Sequence, residues 1–111
     1  MIASGMTDDP RDTFSAAARR SVDWLLGQQH DDGSLGPERA DLAYYYKAPL
    51  LLQLGGEARA AHRMLDFIAA NFQRRDGSFA SSLEHKTEDP LLASYAAYVD
   101  GWLAIAAQRS G

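Results

Sequence analysis

The amino-acid sequence predicts an all-α protein built of antiparallel helical hairpins. Apolar residues recur at intervals of three and four in four stretches, and clusters of Gly, Asp, Ser and Pro separate those stretches. Two of the separating segments spell nearly the same turn, with Asp32 and Asp76 standing 44 residues apart. A repeat of that length is about two helices and two loops, which points to stacked helical hairpins.

Each element has its own signal. Residues 1–11 are polar, carry Pro10 and lack periodicity, so they are expected as a disordered arm before a helical domain over residues 12–111. Asp12 or Thr13 is expected to cap the first helix, whose stripe is Phe14, Ala18, Val22, Leu25 and Gln29, widened by Ala17 and Leu26. The run HDDGSLGP, from His30 to Pro37, ends it. A second helix is expected to begin between Glu38 and Asp41 and to reach Leu54. Pro49 should kink it and Gly55-Gly56 should close it. The third stripe is Ala58, Ala61, Leu65, Ile68 and Phe72, flanked by Met64 and Phe67, with Arg59, Arg63 and Asp66 on the solvated side. A polar connection follows from Gln73 to Asp89. Asp89 and Pro90 then open a fourth helix carrying Leu92, Tyr95, Ala96, Val99, Trp102, Leu103 and Ala106. The two Gly-Ser turns are expected at the same end of the molecule.

Composition narrows the function. The 111 residues suit one domain, and 46% apolar and 23% charged content is ordinary for a globular chain. Fifteen acidic against eleven basic residues give a net charge of −4, which argues against nucleic acid or an anionic membrane surface as partner. No run approaches the length of a membrane span, and the first twenty residues lack the apolar core of a secretory signal. Cytoplasmic residence is the expectation. With no cysteine, disulfides, iron–sulfur clusters, thiolate nucleophiles and Cys-containing zinc sites are excluded.

The repeated segments are WLLGQQHDDGSLG (Trp24 to Gly36) and IAANFQRRDGSFA (Ile68 to Ala80). Gln29 aligns with Gln73, and Asp32-Gly33-Ser34 with Asp76-Gly77-Ser78. Gly permits the reversal, Asp and Ser bond local backbone, and Gln can reach the next hairpin. The pattern Leu25-x-x-x-Gln29-x-x-x-Gly33-x-Leu35 resembles the QW-type repeat of the terpenoid cyclase and protein prenyltransferase α/α-toroid superfamily. Leu35 stands where that family usually has tryptophan; the second copy has Phe79 there and Ala69 at its start. The resemblance implies a partial α/α toroid, because a closed ring of this period needs on the order of 260 residues. It further implies a fragment of a longer protein, or a small domain that assembles with copies of itself. The intact ring would act on a small molecule in its cavity.

The catalytic signatures of the superfamily do not carry over. Asp8-Asp9-Pro10-Arg11-Asp12 spells the metal-binding string of class I terpene synthases, but its position before the first helix suits N-capping. The DxDD acid of class II cyclases is absent, as is the Asp, Cys and His zinc set of the prenyltransferases. His30, His62 and His85 share no ligand spacing, so no metal and no cofactor is expected. The candidate substrate-binding residues are Asp41, Tyr44, Tyr45 and Lys47 on the second helix, and Tyr95, Tyr98 and Trp102 on the fourth. Aromatic walls with a few polar groups are what a small-molecule site needs. The helical phase puts residues 41, 44, 45 and 48 on one face. A carbohydrate-active α/α barrel using Asp41 and Asp100 as its carboxylate pair is one alternative, and a non-enzymatic binding scaffold is another. An unfinished apolar face on the third or fourth helix would make self-association a further expectation.

Overall fold

The computed structural model of the chain describes residues 9–37, 41–82 and 90–110, except for the side chains of 90–96. It is helical, with α1 over Pro10–Gln28, α2 over Ala48–Leu54, α3 over Ala58–Phe72 and α4 over Pro90–Arg109. No strand occurs among the described residues, only three isolated bridges. No helix among them is long and apolar enough to cross a membrane.

α1 begins at Pro10, two residues before the expected start of the helical domain. Asp9 is its N-cap, with the carboxylate accepting the Arg11 amide at 2.9 Å, and Pro10 fills the first helical position. Proline is suited to that position because its missing N–H would be unpaired there anyway. Asp12 therefore lies in the first turn instead of capping it, and Asp8 lies outside the described residues. Of the expected stripe only Val22 and Leu25 are buried; Phe14 is 71% exposed. Between Pro10 and Ser21 only Ala17 is less than exposed, so the first half of α1 stands clear of the core.

The second helix differs most from expectation. A 3-10 turn spans Leu42–Tyr44, non-helical residues follow, and α2 starts only at Ala48. Asp41 caps the 3-10 turn by accepting the Ala43 amide, and Leu42 donates to the Ser81 carbonyl at 2.7 Å. Pro49 sits in the first turn of α2, where it starts a helix rather than kinking one. The helix ends as expected at the glycine pair. Glu57 N–H returns to Leu52 C=O, Gly56 N–H returns to Gln53 C=O, and Gly56 takes a φ of +82°. Gly55 keeps an ordinary φ and is small for another reason: a Cβ there would press on Val22.

α3 packs back along α2 and supplies more of the core than any other helix, through Ala60, Ala61, Met64, Phe67, Ile68 and Phe72. Tyr45 is wholly buried against Phe67 and Phe72, with ring centroids 5.2 and 5.6 Å away. Its hydroxyl accepts the Leu35 amide at 3.1 Å, which ties the first turn to the core. α4 lies on α2 and buries Val99, Leu103 and Ala106. Asp89 and the loop residues His85 to Glu88 lie outside the described residues. Among the described residues the large exposed apolar side chains are Phe14 and Trp24 on α1, Tyr44 and Leu54 around α2, and Tyr98 and Ile105 on α4. α3 has none of them.

The two Asp-Gly-Ser segments adopt the same turn. His30 and Arg74 donate to the carbonyls of Ser34 and Ser78 at 2.8 and 2.7 Å; Gly33 and Gly77 return to His30 and Arg74 at 2.9 and 3.0 Å. Gly33 and Gly77 have φ of 94° and 92°, a region open to glycine at little cost. Each Asp carboxylate accepts the amide and hydroxyl of the Ser two residues on, at 2.9 and 2.6 Å in both copies. The turns do not share one end of the molecule. The first rests on Ala60 and Arg63 in the early part of α3, whereas the second begins beyond Phe72 at its C-terminus. The first hairpin is staggered along α3 because its glutamine bonds to that early segment and its glycine lies close against it.

Candidate functional site

A cleft of about 800 Å³ runs between α1, α2 and α4. Trp24, Leu50, Leu51 and Leu54 form its apolar walls; Tyr44 and Trp102 line it as well. Trp24 reaches it because it lies off the buried Val22–Leu25 stripe, and Trp102 because α4 presents that side to α2. Among the described residues its charged lining groups are Arg20 and Lys47, and none of them is a carboxylate.

Lys47, just ahead of α2, carries its ammonium into an aromatic cluster. Nζ lies 5.6 Å from the Tyr46 ring centroid, 5.4 Å from Tyr98 and 5.4 Å from Trp102. Those distances are within reach of cation–π attraction. The rings also meet edge to face, Tyr46 with Tyr98 at 5.9 Å and Tyr98 with Trp102 at 6.4 Å. The Tyr98 hydroxyl, together with the Tyr46 ring and hydroxyl, holds the Lys47 ammonium above its usual pKa. Reciprocally, the ammonium draws the Tyr98 hydroxyl below the usual phenol value. Both groups are open to solvent, so the effect is a bias in charge and not a buried ion pair.

The structure thus brings together Lys47, Tyr98 and Trp102, with Tyr44 57% exposed along the same cleft. Asp41 and Tyr45 stand elsewhere, Asp41 as a cap and Tyr45 as core, because the helical phase expected through 41–48 does not exist. The side chain of Tyr95 lies outside the described residues. Sequence reasoning passed over Trp24. The available signal for Trp24 was a large aromatic residue placed off the buried stripe of its own helix. Among the described residues no three His, Cys, Asp or Glu side chains converge as a metal site would require. Asp100 lines a second groove, between α3 and α4, so it does not face Asp41 as an acid–base pair across a common cleft.

No family model, curated protein or solved structure matches the chain.

Proposed function

We propose that the chain is a two-hairpin segment of an α/α-toroid-type protein, similar in its repeat to terpenoid cyclases and protein prenyltransferases. Its α1–α2–α4 cleft would form one wall of a small-molecule cavity. The reading is supported by the aromatic cage around Lys47, set at an otherwise apolar cleft. The two cations, with no carboxylate among the described lining residues, favour an apolar molecule bearing an anionic group, because the ammonium neutralises the anion while the indoles and leucines bury the body. The equivalence of the two Asp-Gly-Ser turns supports the kinship with the toroid repeat.

Trp24 and Trp102 both line the cleft, so their fluorescence reports on it directly. Titration with anilinonaphthalene sulfonate should quench tryptophan emission, and a neutral anilinonaphthalene should bind more weakly. Replacing Lys47 with Met should weaken the anionic dye about tenfold and leave the neutral dye unchanged. Equal affinity for both dyes, or no quenching at all, would remove the anion-binding reading.

A further inference from the structure

The two turns match in geometry but differ in what lies against them. The first is occupied. Gln29 Nε2 donates to the Ala60 carbonyl at 2.9 Å, Arg63 donates to Gln29 Oε1 at 3.0 Å, and Gly33 lies so close to the Arg63 carbonyl that a Cβ would overlap it. Among the described residues nothing comparable lies against the second. Gln73 donates to the Gly77 carbonyl of its own turn, at 3.0 Å, and a Cβ on Gly77 would meet no described atom within 4 Å.

Beside the second turn is a groove of about 590 Å³ between α3 and α4. Five of its lining residues are Asp66, Ala69, Gln73, Gly77 and Phe79. Their counterparts 44 residues earlier are Val22, Leu25, Gln29, Gly33 and Leu35, all buried or half-buried. At its turn end the open groove therefore corresponds to the covered surface of the first hairpin; farther along α3, Leu65 and Ile68 correspond to Ser21 and Trp24, which are exposed. The segment of α3 that meets the first turn reads Ala60-Ala61-His62-Arg63. The same offset back along the chain leads to Ala16-Ala17-Ala18-Arg19, in the half of α1 that stands clear of the core.

We propose that two copies of this chain join head to tail, the first half of α1 from one copy filling the groove beside the second turn of the other. Gln73 then donates to the Ala16 carbonyl of the incoming helix, and Gly77 admits its backbone at Arg19. One change between the two pairings is complementary in charge. Val22 becomes Asp66 in the groove and Met64 becomes Arg20 on the helix, an oppositely charged pair in place of two buried apolar residues. The contact is heterologous, so each added copy leaves one α1 and one groove free until a ring closes or a filament grows. The groove is separate from the aromatic cleft, whereas the helix side shares Ala17 and Arg20 with it; association is read by sedimentation without any ligand.

Sedimentation velocity of the full chain should show association that rises with concentration. Ala16→Glu blocks the helix side and Ala69→Arg blocks the groove side; both replaced residues are solvent-exposed, so circular dichroism should match wild type. If A69R loses helicity, Q73E serves in its place, setting a carboxylate against the Ala16 carbonyl. Each variant alone is expected to sediment as a monomer. An equimolar mixture should form a one-to-one dimer and stop there, because the A16E copy offers its groove to the α1 of the other. A monomeric wild type, variants that still self-associate, or a mixture that stays monomeric would each overturn the proposal.

Discussion

The turn at residues 29–35 and the turn at residues 73–79 have the same backbone hydrogen bonds, the same glycine conformation and the same Asp–Ser pairing. They differ in environment. Ser34 is fully buried and Gly33 is covered, whereas Ser78 is half-buried and Gly77 exposed. Local sequence is therefore enough to shape this turn, and packing against a neighbouring helix is not required for it. What packing adds is energetic leverage: identical residues should matter more at the occupied turn than at the open one. Each pairwise substitution measures that difference.

The largest difference is expected at the glycines. Gly77→Ala incurs only the cost of a left-handed alanine, about 1 kcal/mol. Gly33→Ala incurs the same cost and also drives a Cβ into the Arg63 carbonyl, so α3 must move away from the turn. Urea unfolding should place G33A lower than G77A by about 2 kcal/mol or more. Equal midpoints would mean that the turn and α3 do not touch in solution.

How far the fold was legible follows from the same contrast between local and distant contacts. α3 could be read because its stripe is buried along most of its length. The C-terminal half of α1 could be read for the same reason, and its exposed first half only from helical pattern. The end of α2 could be read from Gly55-Gly56, a local signal. The beginning of α2 could not. There Asp41 and Leu42 pair with Ser82 and Ser81, about forty residues away, and the Tyr45 hydroxyl is drawn to the Leu35 amide. Those long-range bonds override the three-and-four spacing that suggested one continuous helix. The site divided along the same line. Lys47, Tyr98 and Trp102 converge because α2 and α4 lie side by side, while Asp41 and Tyr45 depended on a helical phase that is absent.

The glutamines should differ less than the glycines. Gln29→Ala removes the bond to Ala60 and leaves Arg63 without its acceptor, for about 1–2 kcal/mol. Gln73→Ala removes one exposed bond within its own turn and should cost no more than a few tenths of a kcal/mol in the monomer. Comparing thermal midpoints at a concentration too low for association isolates this term. At higher concentration Q73A should also lose the association that Gln73 supports, which Q29A should retain if it remains folded.

The smallest effect is a titration at the open turn. The Ser78 hydroxyl and amide both donate to the Asp76 carboxylate, and the hydroxyl is the larger cause of a pKa below the ordinary 3.8. A carboxyl whose pKa is lowered by folding stabilises the fold above its unfolded value, and that contribution disappears as pH falls through the folded value. Ser78→Ala deletes the hydroxyl but keeps the amide bond. The Asp76 carboxyl should then titrate at higher pH than in wild type while remaining below 3.8, as read from its side-chain carbon resonance. The stability gap between wild type and S78A should narrow as the solution is acidified past both midpoints, since a protonated Asp76 no longer accepts from the serine as a charge. Although the group is exposed, the shift should shrink in high salt only slightly, as its main cause is a short hydrogen bond and not a distant charge. An unchanged Asp76 midpoint in S78A would show that the Asp–Ser bond does not persist where no neighbouring helix covers it, and the two turns would then differ in structure as well as in environment.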